Sequence, residues 1–356
     1  MCIRDRRGHG VVWMHRQTDE ADWYFVAAPS SNGFRGALGF RAIGTAELWN
    51  PLTGAVTPAA IMRRDGATSF VALDLPPSGS VFVMFRKSAP GTSHHVVRLE
   101  HDGNVVADAQ AQPLTAGAGA PLTPVERLTN PRPPCELLDD GNRLLAWTPG
   151  RFRLTRENGK SSTYETRAPR DLPLSGPWKL AFPAGWGAPS SMPLAKLTSW
   201  TDLELPAEAR AFSGTASYTT DFTLDPPAAA DSPVELDLGR VAVIASARLN
   251  GVPVGSVWTP PFRLDISHAL KPGVNHLSVE VTNTWFNRLT FDAGRDETAR
   301  KTWTINGPAK GSALQPSGLL GPVTVRIGQT LRTSTAPEKG TDPLEGLGEK
   351  RRSLAP

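Results

Sequence analysis

The chain has 356 residues, 39% hydrophobic and 20% charged, which is a globular rather than a disordered composition. No window approaches the ~18 apolar residues of a membrane helix, so a helical span is excluded and no membrane partner is expected. Nucleic acid is not an expected partner either. Of the net charge of +4, Arg4, Arg6 and Arg7 less Asp5 place +2 in the first ten residues, and no element carries a Lys/Arg stripe interleaved with aromatics.

Residues 1–10 hold no apolar signal core and no small-residue cleavage site, and they read as a non-native prefix with the true N-terminus further upstream. From Val11 the dominant period is two. Val11-Val12-Trp13-Met14-His15-Arg16 reads like the inside of a protein, and Trp23-Tyr24-Phe25-Val26 as a strand. Glu47-Leu48-Trp49-Asn50-Pro51 leads into Thr53-Gly54, a weaker hairpin signal. Ser80-Val81-Phe82-Val83-Met84-Phe85-Arg86 is an almost continuous apolar run, which suits a strand buried in a sandwich. Residues Ala107 to Pro134 are rich in Ala, Gly, Pro and Gln and read as a long loop, after which strands resume at Arg143-Leu144-Leu145-Ala146-Trp147.

Asn158-Gly159 and Asn250-Gly251 each separate two strand-like runs, and Asn-Gly tolerates the positive φ of a tight turn, so both predict hairpins. Arg167-Ala168-Pro169-Arg170-Asp171-Leu172-Pro173 reads as a linker between a β-sandwich unit over 11–168 and a jelly-roll unit over 172–328. In the second unit Val234-Glu235-Leu236-Asp237-Leu238 and Leu277-Ser278-Val279-Glu280-Val281-Thr282 alternate cleanly, each burying one face. Asp265 to Leu270 predicts at most a turn or two of helix. Residues 329–356 read as a disordered tail. Nothing supports the alternating helices of a (β/α)₈ barrel, and 33 glycines and 33 prolines favour turns joining short strands. The fold class is all-β.

Candidate chemistry is sparse. Cys2 and Cys135 supply neither a disulfide framework nor a metal-ligand pair. Hydrolysis of a glycoside needs two carboxylates ~5 to 9.5 Å apart. Asp19, Glu20 and Asp22 read more simply as a soluble strand edge, and Asp139-Asp140-Gly141-Asn142 as a turn. His94, His95 and His101 are not spaced as ligands, since adjacent strand residues face opposite ways. Asp292, Asp296 and Glu297 form an acidic loop of hard oxygen donors without regular calcium-loop spacing. The most suggestive set is Trp258, Trp285, Asn287, Arg288 and Asp292. Aromatic faces cover sugar C–H surfaces, and planar polar groups bond hydroxyls. The same residues admit a second account, in which the tryptophans cap a core and Arg288 pairs with Asp292.

The second unit resembles the galactose-binding-like sandwich attached to many glycoside hydrolases, the sugar-binding domain of the family 2 type. The resemblance is carried by Phe212-Ser213-Gly214-Thr215-Ala216-Ser217-Tyr218, Leu236-Asp237-Leu238-Gly239-Arg240-Val241, Ala247-Arg248-Leu249-Asn250-Gly251 and Val257-Trp258-Thr259-Pro260-Pro261-Phe262. It continues in Asn287-Arg288-Leu289 and Ser317-Gly318-Leu319-Leu320-Gly321-Pro322-Val323. With Asp22-Trp23-Tyr24-Phe25-Val26 and Glu47-Leu48-Trp49-Asn50-Pro51-Leu52-Thr53-Gly54, the order of motifs over 11–328 is similar to the C-terminal portion of glycoside hydrolase family 106, the α-L-rhamnosidases. This chain departs from the family's Ile-Gly-Asp after Asn-Arg-Leu, having Thr290-Phe291-Asp292.

The resemblance implies an inverting hydrolase whose two glutamates sit in an upstream barrel, so no catalytic residue is carried onto this chain. It implies no cofactor and no metal here, with calcium belonging to the parent's barrel. The expected partners are a rhamnose-containing carbohydrate and the barrel itself, in a secreted or periplasmic parent. The alternatives are a stand-alone carbohydrate-binding module, or a structural β-sandwich protein. A structural sandwich implies an exposed apolar patch where its barrel docks.

Overall fold

The computed structural model describes residues 3–8, 10–29, 33–87, 95–110, 133–229 and 231–333. Strands dominate them and every named pairing is antiparallel, so the all-β sandwich class holds. The sheets stack in pairs because each carries one apolar face that must be covered.

The first pair sets a six-stranded sheet against a three-stranded one. The large sheet contains Ile3–Gly8, Val11–Gln17, Ala21–Ala27, Ser80–Arg86, Thr45–Trp49 and Val56–Pro58, in that spatial order. Its partner contains Phe34–Phe40, Thr68–Leu75 and Met62–Asp65. Tyr24, Val26, Val83 and Phe85 from the large sheet meet Phe40, Met62, Val71 and Leu73. The expected prefix therefore includes an edge strand, which pairs Ile3 with His15 and Arg4 with Met14.

A second, smaller core follows. Val96–His101 and Gly150–Arg156 supply Val96, Leu99, Phe152 and Leu154, which pack with Cys135, Leu144 and Ala146. Residues 11–168 thus contain two apolar clusters, which meet where Met62–Asp65 approaches Val96–His101 and at the bridge Ile61 to Val96. The third strand of the Cys135–Leu138/Arg143–Ala146 sheet is Gln329–Arg332, nearly two hundred positions later in sequence. The expectation of a tail from residue 329 is corrected here. Leu331 packs on the core, and the Thr333 N–H donates to the Asn142 carbonyl at 2.8 Å. The backbone groups of the Arg143–Ala146 edge dictate this pairing, and Gln329-Thr330-Leu331-Arg332 carries too little apolar signal to announce it. Residues 334–356, and most of the expected loop over 107–134, lie outside the described residues.

The largest core lies between Arg170–Pro173/Thr324–Ile327/Val234–Asp237/Arg263–Asp265 and a six-stranded sheet centred on Thr215–Thr223 and Val274–Thr282. Both central strands alternate buried and wet residues over nine positions. The Asn158-Gly159 and Asn250-Gly251 turns close hairpins as their sequence predicts, Asn250 at φ 55° and Gly251 at φ 83°. The weaker Thr53-Gly54 signal also marks a hairpin.

One buried hydroxyl knits this core. The Tyr218 Oη accepts from the Trp200 indole N–H at 2.6 Å and from the Leu319 N–H at 3.1 Å. Gly318 sits against this pair at φ 102°, and any Cβ there meets the tyrosine oxygen and the indole nitrogen. Burial pushes the Tyr218 phenol up to about 12, so it stays protonated. Tyr218→Phe leaves two buried donors unmade, at about 1–3 kcal/mol each. A lower urea midpoint with an unchanged slope is the expected result, and an unchanged midpoint refutes this role for the hydroxyl.

Candidate functional site

Four of the five candidates from sequence sit on one short helix or at its start. Phe286–Ala293 is an eight-residue α-helix preceded by Trp285, which provides no side-chain cap. Its buried face is polar, made of Asn287, Arg288, Thr290 and Asp292. A helix of eight residues whose buried face is polar shows no core-facing apolar stripe, which is why the sequence does not announce it.

The burial is tolerable because every polar group is matched. Asp292 takes both arms of the Arg288 fork, from Nε at 2.9 Å and Nη2 at 3.0 Å. Its Oδ2 also accepts from the Lys301 N–H, the Thr302 N–H and the Thr302 hydroxyl. The remaining Arg288 arm, Nη1, donates to Glu208 Oε1 at 3.1 Å, which also receives Lys301 Nζ at 2.9 Å. The Asn287 amide donates to the Gln315 carbonyl and the Ser317 hydroxyl and accepts from the Gln315 N–H. Ser317 is a junction, since its hydroxyl also receives Asn283 Nδ2 and its N–H donates to Ser199 Oγ. Asn287, Arg288 and Asp292 therefore fasten the helix to the sandwich and present nothing to a ligand.

Burial by itself pushes the Asp292 carboxyl up, but its hydrogen bonds from Arg288 and Thr302 outweigh that and hold it below the usual carboxylate range. Lys301 and then Arg288 hold Glu208 low in the same way. Both carboxyls contribute stability at neutral pH that is lost as pH falls through their depressed folded values.

Outside this network lies an aromatic rim. Trp285 is 51% exposed and meets Trp186 at 5.8 Å between ring centroids, tilted by 58°. Trp186 in turn lies under the Arg288 guanidinium at 5.2 Å and Lys301 Nζ at 5.6 Å. Beside it an open hollow is lined by Glu297, Arg300, Lys301, Thr302 and Trp303, and Trp303 is 73% exposed. Trp186, Trp303, Glu208 and Lys301 escape sequence reasoning because they come from separate segments that only the fold assembles. Trp258 is half-exposed on the link between Val252–Val257 and Arg263–Asp265. Among the described residues no ring contact or hydrogen bond joins it to the helix.

The other candidates disperse. Asp22 is buried and bonded to His15 at 2.9 Å, and Asp139 is tied to Arg143. His101 stacks on Phe152, His95 is buried apart from it, and His94 lies outside the described residues. No group of three His, Cys, Asp or Glu able to hold a metal occurs among the described residues. In the acidic loop, Asp292 is spent on Arg288.

No family model matches the chain. The protein named "Putative beta-glucuronidase" from Formosa agariphila is 33% identical over 247 residues, covering 62% of this chain and 21% of that one. The solved rhamnosidase from Novosphingobium sp. PP1Y superposes with a TM-score of 0.61 and 28% identity, over 92% of this chain and 25% of that one. A Ruminococcus gnavus beta-glucuronidase overlaps over 46% of this chain at a TM-score of 0.35 and 23% identity. The chain is glycoside hydrolase-like, with a carbohydrate-active fold, and it spans about a fifth to a quarter of the two proteins it matches over most of its length.

Asp292→Asn strips Arg288 of its bidentate charge partner and leaves it the single Nη1 bond to Glu208, a loss of up to about 3–5 kcal/mol. A lower urea midpoint is expected, together with a flatter loss of stability below about pH 4. Pairing it with Arg288→Met restores much of the loss if the pair, rather than the aspartate alone, is what matters. An Asp292→Asn protein with the original midpoint and acid profile refutes the network's role.

Proposed function

We propose that this chain is the C-terminal accessory portion of a hydrolase that removes terminal α-L-rhamnose from plant glycans or glycosides. The observation that carries it is the superposition on the Novosphingobium rhamnosidase, which covers 92% of the chain. The motif order over 11–328, similar to family 106, supports the same reading. In it, general acid and base carboxylates lie in the part of the hydrolase outside this chain. The portion described here braces that part and takes no cofactor of its own, and calcium belongs to the catalytic part. The purified chain is expected to leave an aryl α-L-rhamnoside intact, whereas the polypeptide extended upstream in the gene hydrolyses it. Calcium-dependent turnover by the 356-residue chain alone overturns this reading.

A second reading, a carbohydrate-binding module, is favoured by the Trp186/Trp285 pair and the neighbouring Trp303. The Trp285 indole, half-exposed against Trp186, offers a stacking face, with the Lys301 ammonium at its edge. In calorimetric titration with rhamnose-containing oligosaccharides this reading requires a heat of binding that Trp285→Ala abolishes. Binding that survives the substitution places the sugar elsewhere.

A further inference from the structure

The six-stranded sheet of the first core is apolar on both faces, and among the described residues only one face packs into a core. Its inner face carries Tyr24, Val26, Val81, Val83 and Phe85 against the three-stranded sheet. The residues between them point the opposite way. Strand register places Met14 opposite Phe25, Phe25 opposite Phe82, Phe82 opposite Trp49, and Trp49 opposite Val56. That is one unbroken apolar row across five strands, about 19 Å wide at about 4.8 Å per strand. The Phe25 and Phe82 rings meet at 5.0 Å, and Trp23, one step along the sheet, meets Trp49 edge-on at 5.1 Å. Met14 is 53% exposed and Val56 47%. Met84, on the same outer face opposite Trp23, is buried yet belongs to none of the three cores.

The chain contains its own comparison. The outer face of the largest sheet carries Thr215, Ser217, Thr219 and Asp221 on one strand and His276, Ser278 and Glu280 on the next. Apart from Ile244 and Val274 at its ends, that face is built for water. Continuous apolar strands such as Val81-Phe82-Val83-Met84-Phe85 are the pattern of a sheet covered on both sides.

We propose that this outer face is the docking surface for the catalytic part of the same hydrolase, which seats an apolar protein surface on the Met14–Val56 row. The proposal rests on the accessory-portion reading above. Two observations select this occupant. The row mixes Met and Val with its aromatics, its Trp49 indole N–H is spent on Glu47 at 2.9 Å, and the charged groups beside it, Glu47, Arg86 and Arg16, rim an apolar centre as at a protein interface. In addition, the rhamnosidase that matches 92% of this chain has three quarters of its length outside the match, since the match covers 25% of it. That supplies a covalently linked partner at high effective concentration.

The test is hydroxyl-radical footprinting read by mass spectrometry, on the 356-residue chain and on the longer polypeptide encoded by its gene. Met14, Phe82 and Trp49 are expected to oxidise at least fivefold more slowly in the longer polypeptide. Met14→Lys, at an exposed position, is expected to leave thermal unfolding of the 356-residue chain unchanged and to lower that of the longer polypeptide by a few degrees. Equal oxidation in both overturns the proposal, as does protection already complete in the 356-residue chain, whether from within the chain or from a dimer seen by sedimentation. Pull-down of the chain on an insoluble glycan, lost in Phe82→Ala, overturns it in favour of a sugar surface. Rhamnoside hydrolysis by the longer polypeptide is measured separately. Protection with turnover of a different glycoside sinks the rhamnosidase reading and keeps the docking surface, and rhamnoside turnover with an unprotected row does the reverse.

Discussion

A β-sheet with an apolar face has to have that face covered, and this requirement organises the whole molecule. It explains why the sheets come in facing pairs and why a strand as weakly apolar as Gln329–Arg332 returns across the sequence to complete the smallest pair. It also separates the two large sheets. One turns threonines, serines and charges outward, and the other turns outward a row of phenylalanine, tryptophan, methionine and valine. The first suits water, and the second suits contact with another apolar surface.

The polar interior of the third core obeys the complementary rule. Arg288, Asp292 and Asn287 are withdrawn from water at one end of the sandwich, and the cost is offset because each of their groups meets a partner. Segments distant in sequence converge there: Ser199-Trp200, Phe212-Ser213-Gly214, Asn283 and Ser317-Gly318 all donate to or accept from the same few atoms. The consequence for the surface is a rigid base beneath Trp186 and Trp285. Rings held this way lose little freedom on meeting a partner, whether sugar or protein.

Sandwiches of this architecture serve many enzymes, and their chemistry resides in whatever site accompanies them. In this chain three of the acids weighed from sequence are occupied with neighbours: Asp22 with His15, Asp139 with Arg143, and Asp292 with Arg288. The glycoside hydrolase-like character lies in the scaffold.

Strand period, Asn-Gly turns and the all-β class were legible in the residues themselves, because alternation and positive φ are local properties of a few consecutive side chains. The Ser80–Arg86 run and both Asn-Gly hairpins needed no tertiary information. The i, i+4 pairing of Arg288 with Asp292 was visible as one of two accounts, and the fold decided between them by burying both. The helix that carries them was not legible, since its buried face is polar and its start uncapped. Nor were the return of Gln329–Arg332, the meeting of Trp186 with Trp285, or which apolar face stays open. Each of these is set by what packs against a segment from far along the chain, and that is a property of the assembled sheets rather than of any stretch of sequence.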